Sequence, residues 1–262
     1  MKLSLSGRLW ESPKGYRVTL AEHIRAASKL GYAGIELRYP LLPKPDEIPA
    51  IQALLKENRV QAVFAFCAAV PKDDASRADA MRVVEIVQKL CGTHVRLAVF
   101  KEEELPSVRE LAESAGKLGI RVALHVHTGT LCDSADKALA AVRTVNHSNV
   151  CLLADPIHLV LAGEPDVPGA IARIGPHTGL VNLQNYRIAP DDAAGSIKIY
   201  GKSWFAAPPG HPQGLDFRSA ITAFRKAGYD GWLNVMCSTT ETEDPAAVAR
   251  AYIDHLRPLV KA

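Results

Sequence analysis

The sequence has no C-x-x-C pair, and its five cysteines (Cys67, Cys91, Cys132, Cys151 and Cys237) are dispersed and odd in number. A disulfide framework needs paired sulfurs, so it is excluded, and reduced thiols in a cytoplasmic protein are the expectation. Long apolar runs are also missing. No stretch reaches the ~18 residues of a membrane-spanning helix, so no membrane partner is expected. The opening, MKLSLSGRLWESPKG, lacks a long apolar core and a small-residue cleavage site, so no signal peptide is expected. Charge of one sign is scarce: 31 Lys and Arg stand against 28 Asp and Glu, a net +3, with no dominant basic cluster. Nucleic acid calls for concentrated positive charge and is not an expected partner.

What is present is a regular alternation of short β-like and longer helix-like runs. The strands expected are 2–6, 33–37, 60–66, 94–99, 120–126, 149–154, 179–184 and 231–236. Amphipathic helices are expected at 20–30, 45–58, 73–90, 103–118, 134–145, 167–174, 217–227 and 245–256. TLAE, from Thr19 to Glu22, reads as a capping box. KLGYAGIEL, KLGIRVAL and KAGYDGWLNV repeat one helix–glycine–strand join. Eight strands, each followed by a helix, in a chain of 262 residues describe a (β/α)8 barrel of one domain over 1–262. A doubly wound open sheet shares the local pattern, but the count and length favour the barrel. The first strand–helix turn has no G-x-G-x-x-G, so a dinucleotide site has no support.

A barrel places its chemistry on inward side chains at the C-terminal ends of its strands. In VALHVHTGT, His125 and His127 share one strand face. Strand two offers Glu36, and strand six offers Asp155 with His158 three residues on. Strand seven offers Asn182 and Gln184, then Asn185 and Arg187; strand eight offers Asn234 and Met236, with Cys237 just past. Residues 187–214 show no clear period and read as a loop covering the mouth, carrying Lys198, Trp204 and His211. The polar set is able to hold a divalent ion. Each member also has a plain structural reading. An inward His is often a hydrogen-bonded core residue. Glu36 is equally a buried carboxylate paired with Arg38 or with an arginine of a neighbouring strand. Met236 reads as core filler and Cys237 as a small buried thiol.

GYAGIEL, ALHVHTGT, LLADPIHLVLAGEP, PPGHPQGLDF and GYDGWLNV together resemble the xylose isomerase-like TIM barrels over nearly the whole chain. That superfamily includes sugar isomerases and epimerases, dehydratases and endonuclease IV. The resemblance implies a divalent metal held by Glu, Asp, His and Glu on strands five to eight. Here those positions carry His125, Asp155, Gln184 and Met236, so one usual ligand is kept. His158 matches the histidine that follows the Asp, and His127 matches the second polar position of strand five. With one carboxylate and two neutral donors, the ion implied is Zn2+ or Mn2+ on His125, Asp155 and Gln184. The two glutamates that serve relatives as bases are absent, which leaves Glu36, His125 or His158 to move a proton.

Three functions follow from the resemblance. The first is an isomerase, epimerase or dehydratase of a small sugar or polyol, with His127, Asn182, Arg187, Lys198, Trp204 and His211 contacting substrate. The second is a binding protein on the same barrel that has lost metal and turnover. The third, a repair endonuclease, lacks its ligands and its phosphate attraction here. The enzyme is the expectation, since a polar set this rich is costly inside a core. A homo-oligomer is compatible with it.

Overall fold

The computed structural model describes residues 1–67, 69–239 and 243–261. Among them, eight parallel strands close into a barrel: β1 (Lys2–Ser6), β2 (Gly34–Leu37), β3 (Gln61–Phe66), β4 (His94–Leu97), β5 (Arg121–His125), β6 (Val150–Ala154), β7 (Thr178–Leu183) and β8 (Trp232–Val235). Each strand pairs with its sequence neighbours, and β1 meets β8 through Leu3 and Leu233. That last pairing separates the barrel from an open sheet.

The side-chain alternation of the strands explains the two cores. Outward residues such as Leu5, Ile35, Val95, Leu124, Leu152 and Val235 pack under the helices. Burying each such aliphatic side chain contributes ~1.5–3 kcal/mol. Phe64, Ala123, Cys151, Leu153 and Leu180 form a separate cluster, on the alternate face of their strands. Towards the C-terminal ends this inner face turns polar, at Ser6, Glu36, Arg96, His125, Asn182 and Asn234.

The helices are α1 (Leu20–Leu30), α2 (Ile48–Asn58), α3 (Asp74–Lys89), α4 (Leu105–Gly116), α5 (Ala135–Val145), α6 (Pro156–Leu161), α7 (Val167–Ile174), α8 (Phe217–Lys226) and α9 (Pro245–Lys261). The Thr19–Glu22 capping box opens α1, and Gly31 closes it at φ 89°, where a residue with a Cβ is strained. α8 buries Phe217, Ala220, Ile221 and Phe224, one stripe at helical spacing.

Besides a short hairpin of Glu11–Ser12 with Gly15–Tyr16, two segments near the site differ from expectation. α6 is an additional helix directly after β6. Its six residues, PIHLVL, are too short and too apolar to show a helical period. Residues 187–214 are not irregular throughout: Tyr186–Ile188, Ile197–Ile199 and Lys202–Ala206 form an antiparallel sheet. Strands of three to five residues give too few alternations to be read as a pattern.

Candidate active site

Period two brings one inward residue from almost every strand to the C-terminal mouth. Glu36 follows Gly34 on β2, and Arg96 follows His94 on β4. His125 ends β5, with His127 two residues beyond. Asp155 lies just past β6 at the start of α6, and His158 is on the first turn of that helix.

Glu36 has no exposed surface. It accepts hydrogen bonds from the Ser6 hydroxyl, from Asn234 Nδ2 (3.3 Å), from Arg38 Nη1 (3.4 Å) and from Arg96 Nη2 (3.5 Å). Burial pushes its carboxyl up, but Arg38 and Arg96, helped by Ser6 and Asn234, hold it below the usual range. Arg96 is also buried, its guanidinium 4.1 Å from the centre of the Phe66 ring. Burial brings its pKa down to about 10, so it stays cationic at neutral pH.

Arg96 Nη1 lies 2.9 Å from His125 Nδ1. A guanidinium only donates, so Nδ1 is the acceptor and the imidazole proton sits on Nε2. That Nε2–H faces Asp155 Oδ2 at 3.4 Å. Burial, then the Arg96 charge, keeps the ring neutral by pushing its pKa far down. Asp155 Oδ2 also accepts from Gln184 Nε2 (2.8 Å) and Asn182 Nδ2 (3.5 Å), while Oδ1 has no partner among the described residues. Burial raises this carboxyl to about 7, against the lowering effect of the two amides.

His127 differs from the other histidines. Its Nδ1 is 2.7 Å from the Thr128 carbonyl, which only accepts. The proton is therefore on Nδ1, and Nε2 carries a lone pair with no protein partner among the described residues. Its ring lies 3.6 Å from that of His158, centre to centre, and 4.8 Å from that of His125. Burial pushes the His127 pKa down, opposed by the Thr128 carbonyl. All three rings line a cavity of about 420 Å³, with Arg8, Arg38 and Arg96 on its wall and Ile197 and Ile199 of the small sheet on its rim.

Residues 24–259 match the model of the xylose isomerase-like TIM barrels. The chain belongs to that family. An inosose dehydratase of Geobacillus thermodenitrificans (strain NG80-2) is 27% identical over 165 residues, covering 59% of this chain and 52% of that protein. The match thus spans about half the length of that curated relative. Among solved structures, a D-psicose 3-epimerase determined in the presence of D-fructose has a TM-score of 0.78 at 17% identity, with 100% of both chains covered. A probable 3-DHS dehydratase from Bacillus anthracis gives 0.78 at 16% identity, covering 98% of this chain and 99% of that one. A family member from Mycobacterium smegmatis in complex with magnesium gives 0.74 at 18%, covering 99% and 95%. At these identities the structural likeness is one of fold.

The donor set of this xylose isomerase-like barrel does not fit the expected Zn2+ or Mn2+. Of His125, Asp155 and Gln184, His125 spends its lone pair on Arg96. Gln184 turns its amide nitrogen to Asp155 and its Oε1 to the Tyr186 hydroxyl, 3.4 Å away. Met236 Sδ takes an N–H of Asn182. Asp155 alone offers free oxygen, and the Arg96 cation adjoins the site. Among the described residues, no group of three or more His, Cys, Asp or Glu is placed to hold an ion.

The other expected site residues divide. His125, His127, His158 and Gln184 meet at the cavity. Glu36 does not line it: the carboxylate is sealed beneath its arginines, as the ion-pair reading held. Asn182 is buried between Asp155 and Asn234. Arg187 stacks on Phe205 (4.8 Å), Lys198 pairs with Asp192 (3.0 Å), Trp204 is buried, and His211 borders a different cavity. None of these four lines the mouth cavity; on the small sheet's Ile197–Ile199 strand, alternation turns Ile197 and Ile199 to it in place of Lys198. Sequence reasoning missed Arg8 and Arg96. The available signal for Arg96 was its inward register in HVRLAV.

Proposed function

We propose that this barrel is an isomerase, epimerase or dehydratase of a small polyhydroxylated carbonyl compound, with His127 as the base. The observation that carries this reading is the unpartnered Nε2 lone pair of His127 in a cavity that also presents Arg96. Nε2 takes the proton from the carbon beside the substrate carbonyl. Electrons of that C–H bond move into the carbonyl, and the resulting oxyanion is stabilised by the Arg96 guanidinium. Protonated His127 then returns the proton to the neighbouring carbon, or to the same carbon once the enediolate has turned its opposite face to the imidazolium, or to a neighbouring hydroxyl that leaves as water. His158 and Gln184 contact substrate oxygens. Asp155, raised to about 7, retains acid character at neutral pH behind them.

The names of the relatives support this range of reactions, since they include a dehydratase and an epimerase. A binding-only barrel would use the same cavity, but the free base of His127 favours turnover. The metal-held alternative on His125, Asp155 and Gln184 is disfavoured by the Arg96 cation. Incubation with ketoses and inososes in D2O tests the base. His127→Gln is expected to lower deuterium uptake and turnover by about 10²–10⁴-fold. Uptake at the wild-type rate would remove His127 from the role. Elemental analysis of untagged protein is expected to find far less than one divalent ion per chain, with turnover insensitive to EDTA. A stoichiometric ion, lost in a His125→Ala/Asp155→Ala double variant, would reinstate the metal.

A further inference from the structure

We infer that the substrate carries a single carboxylate, bound by Arg8 and Arg38 at the rim of the cavity. This rests on the proposed function for the location of the reacting end and names the substrate class.

Three arginines line the cavity, and its lining includes no Asp or Glu. Their counterions lie outside it. Glu36 faces Arg38 at 3.4 Å and Arg96 at 3.5 Å, while Glu11 Oε2 faces Arg8 Nη1 at 3.4 Å and Arg38 Nη2 at 3.7 Å. Among the described residues, three cations stand against two full carboxylates and Asp155, which with its pKa raised to about 7 is partly ionised at neutral pH, so a positive excess of less than one full charge remains. A neutral sugar would leave that charge unanswered. Glu11 is about two-fifths exposed and its contacts are long, so it screens the two arginines weakly. The excess is felt inside: Arg8 and Arg96 both push His127 and His158 further down.

The free donors are at the rim. Arg8 spends Nε on Ser238 Oγ (3.1 Å) and Nη1 on Glu11, leaving Nη2 without a partner among the described residues. Arg38 is fixed by Tyr16 (3.2 Å) and Glu36, with its guanidinium 5.3 Å from the centre of the Phe66 ring. Two guanidinium groups sharing one long-range counterion form a fork suited to a planar carboxylate. An excess of at most one charge matches a carboxylate better than a phosphate monoester, which carries about −1.5 to −2.

Calorimetric titration of the full chain with D-gluconate, D-glycerate, D-glucose and inorganic phosphate separates the cases. At least one sugar acid is expected to bind about tenfold or more tightly than glucose, and more tightly than phosphate. Arg8→Gln, at a half-exposed position, is expected to weaken acid binding about tenfold with an unchanged melting temperature and unchanged glucose binding. Glucose or phosphate binding as tightly as the acids, no binding of either acid, or full acid affinity in Arg8→Gln would each overturn the inference. The readout needs no turnover, so it fails independently of the proposed function. If Arg8-dependent acid binding coexists with unaltered deuterium uptake in His127→Gln, the anion site stands and the role of His127 falls.

Discussion

Glu36 shows how far the energetics of one residue depend on its neighbours. With no exposed surface and two arginines within hydrogen-bonding range, it holds two buried cations in place rather than moving protons. Glu36→Gln keeps the shape but leaves Arg38 and Arg96 facing a neutral amide. Breaking a buried ion pair from one side destabilises by ~3–5 kcal/mol. Urea unfolding of the variant is therefore expected to show a loss of this order, and a change below ~1 kcal/mol would mean that water reaches the cluster. The pairing was legible in part, since Glu36 beside an arginine reads as either catalyst or salt bridge. What decides between them is Arg96, sixty residues away, and its reach depends on barrel closure. The base was hidden for a similar reason. His125 and His127 look equivalent in VALHVHTGT, and the Arg96 guanidinium and Thr128 carbonyl make them opposite tautomers.

At the scale of elements, the barrel strands were readable because each is a short apolar or alternating run set between amphipathic helices, several of them closed by glycine. The small sheet was not, and it forms the rim of the site. Its turn is tied to the strand-five loop by Tyr200, whose hydroxyl donates to Asp133 Oδ2 (2.7 Å) and accepts from Gly129 N (2.9 Å). Tyr200 is half exposed, so Tyr200→Phe is expected to change global stability by no more than ~0.5 kcal/mol. Amide exchange should nevertheless speed up at Gly129 and along Ile197–Ile199, because the tie holding the rim is lost. Unchanged protection in both segments would show that the backbone pairing with Lys202–Ala206 alone fixes the rim.

For the whole molecule, the buried histidines set the response to acid. His23 accepts from Trp10 Nε1 (2.8 Å) at Nδ1, and its Nε2 has no hydrogen-bond partner among the described residues. His94 Nε2 likewise has no partner among the described residues. Burial brings each down to about 4. An exposed imidazole in the unfolded chain titrates near ~6.5, so between these values the unfolded state binds more protons and stability rises with pH. Each histidine contributes stabilisation that is complete above ~6.5 and lost as pH falls towards ~4, up to ~3 kcal/mol apiece. His125 and His158 act in the same direction. Asp155 opposes them: raised to about 7, its folded form holds a proton that the unfolded chain releases near ~3.8, so its contribution declines as pH rises through that window. Two histidines brought to about 4, and two more shifted the same way, outweigh one carboxyl. Urea midpoints are therefore expected to drop steadily from pH 7 to pH 4.5. His94→Gln should have the shallower profile, because it removes one of the linked protons. A flat wild-type profile across that range would mean that these imidazoles are reached by water, and that the barrel is less tightly sealed at His23 and His94 than their packing indicates.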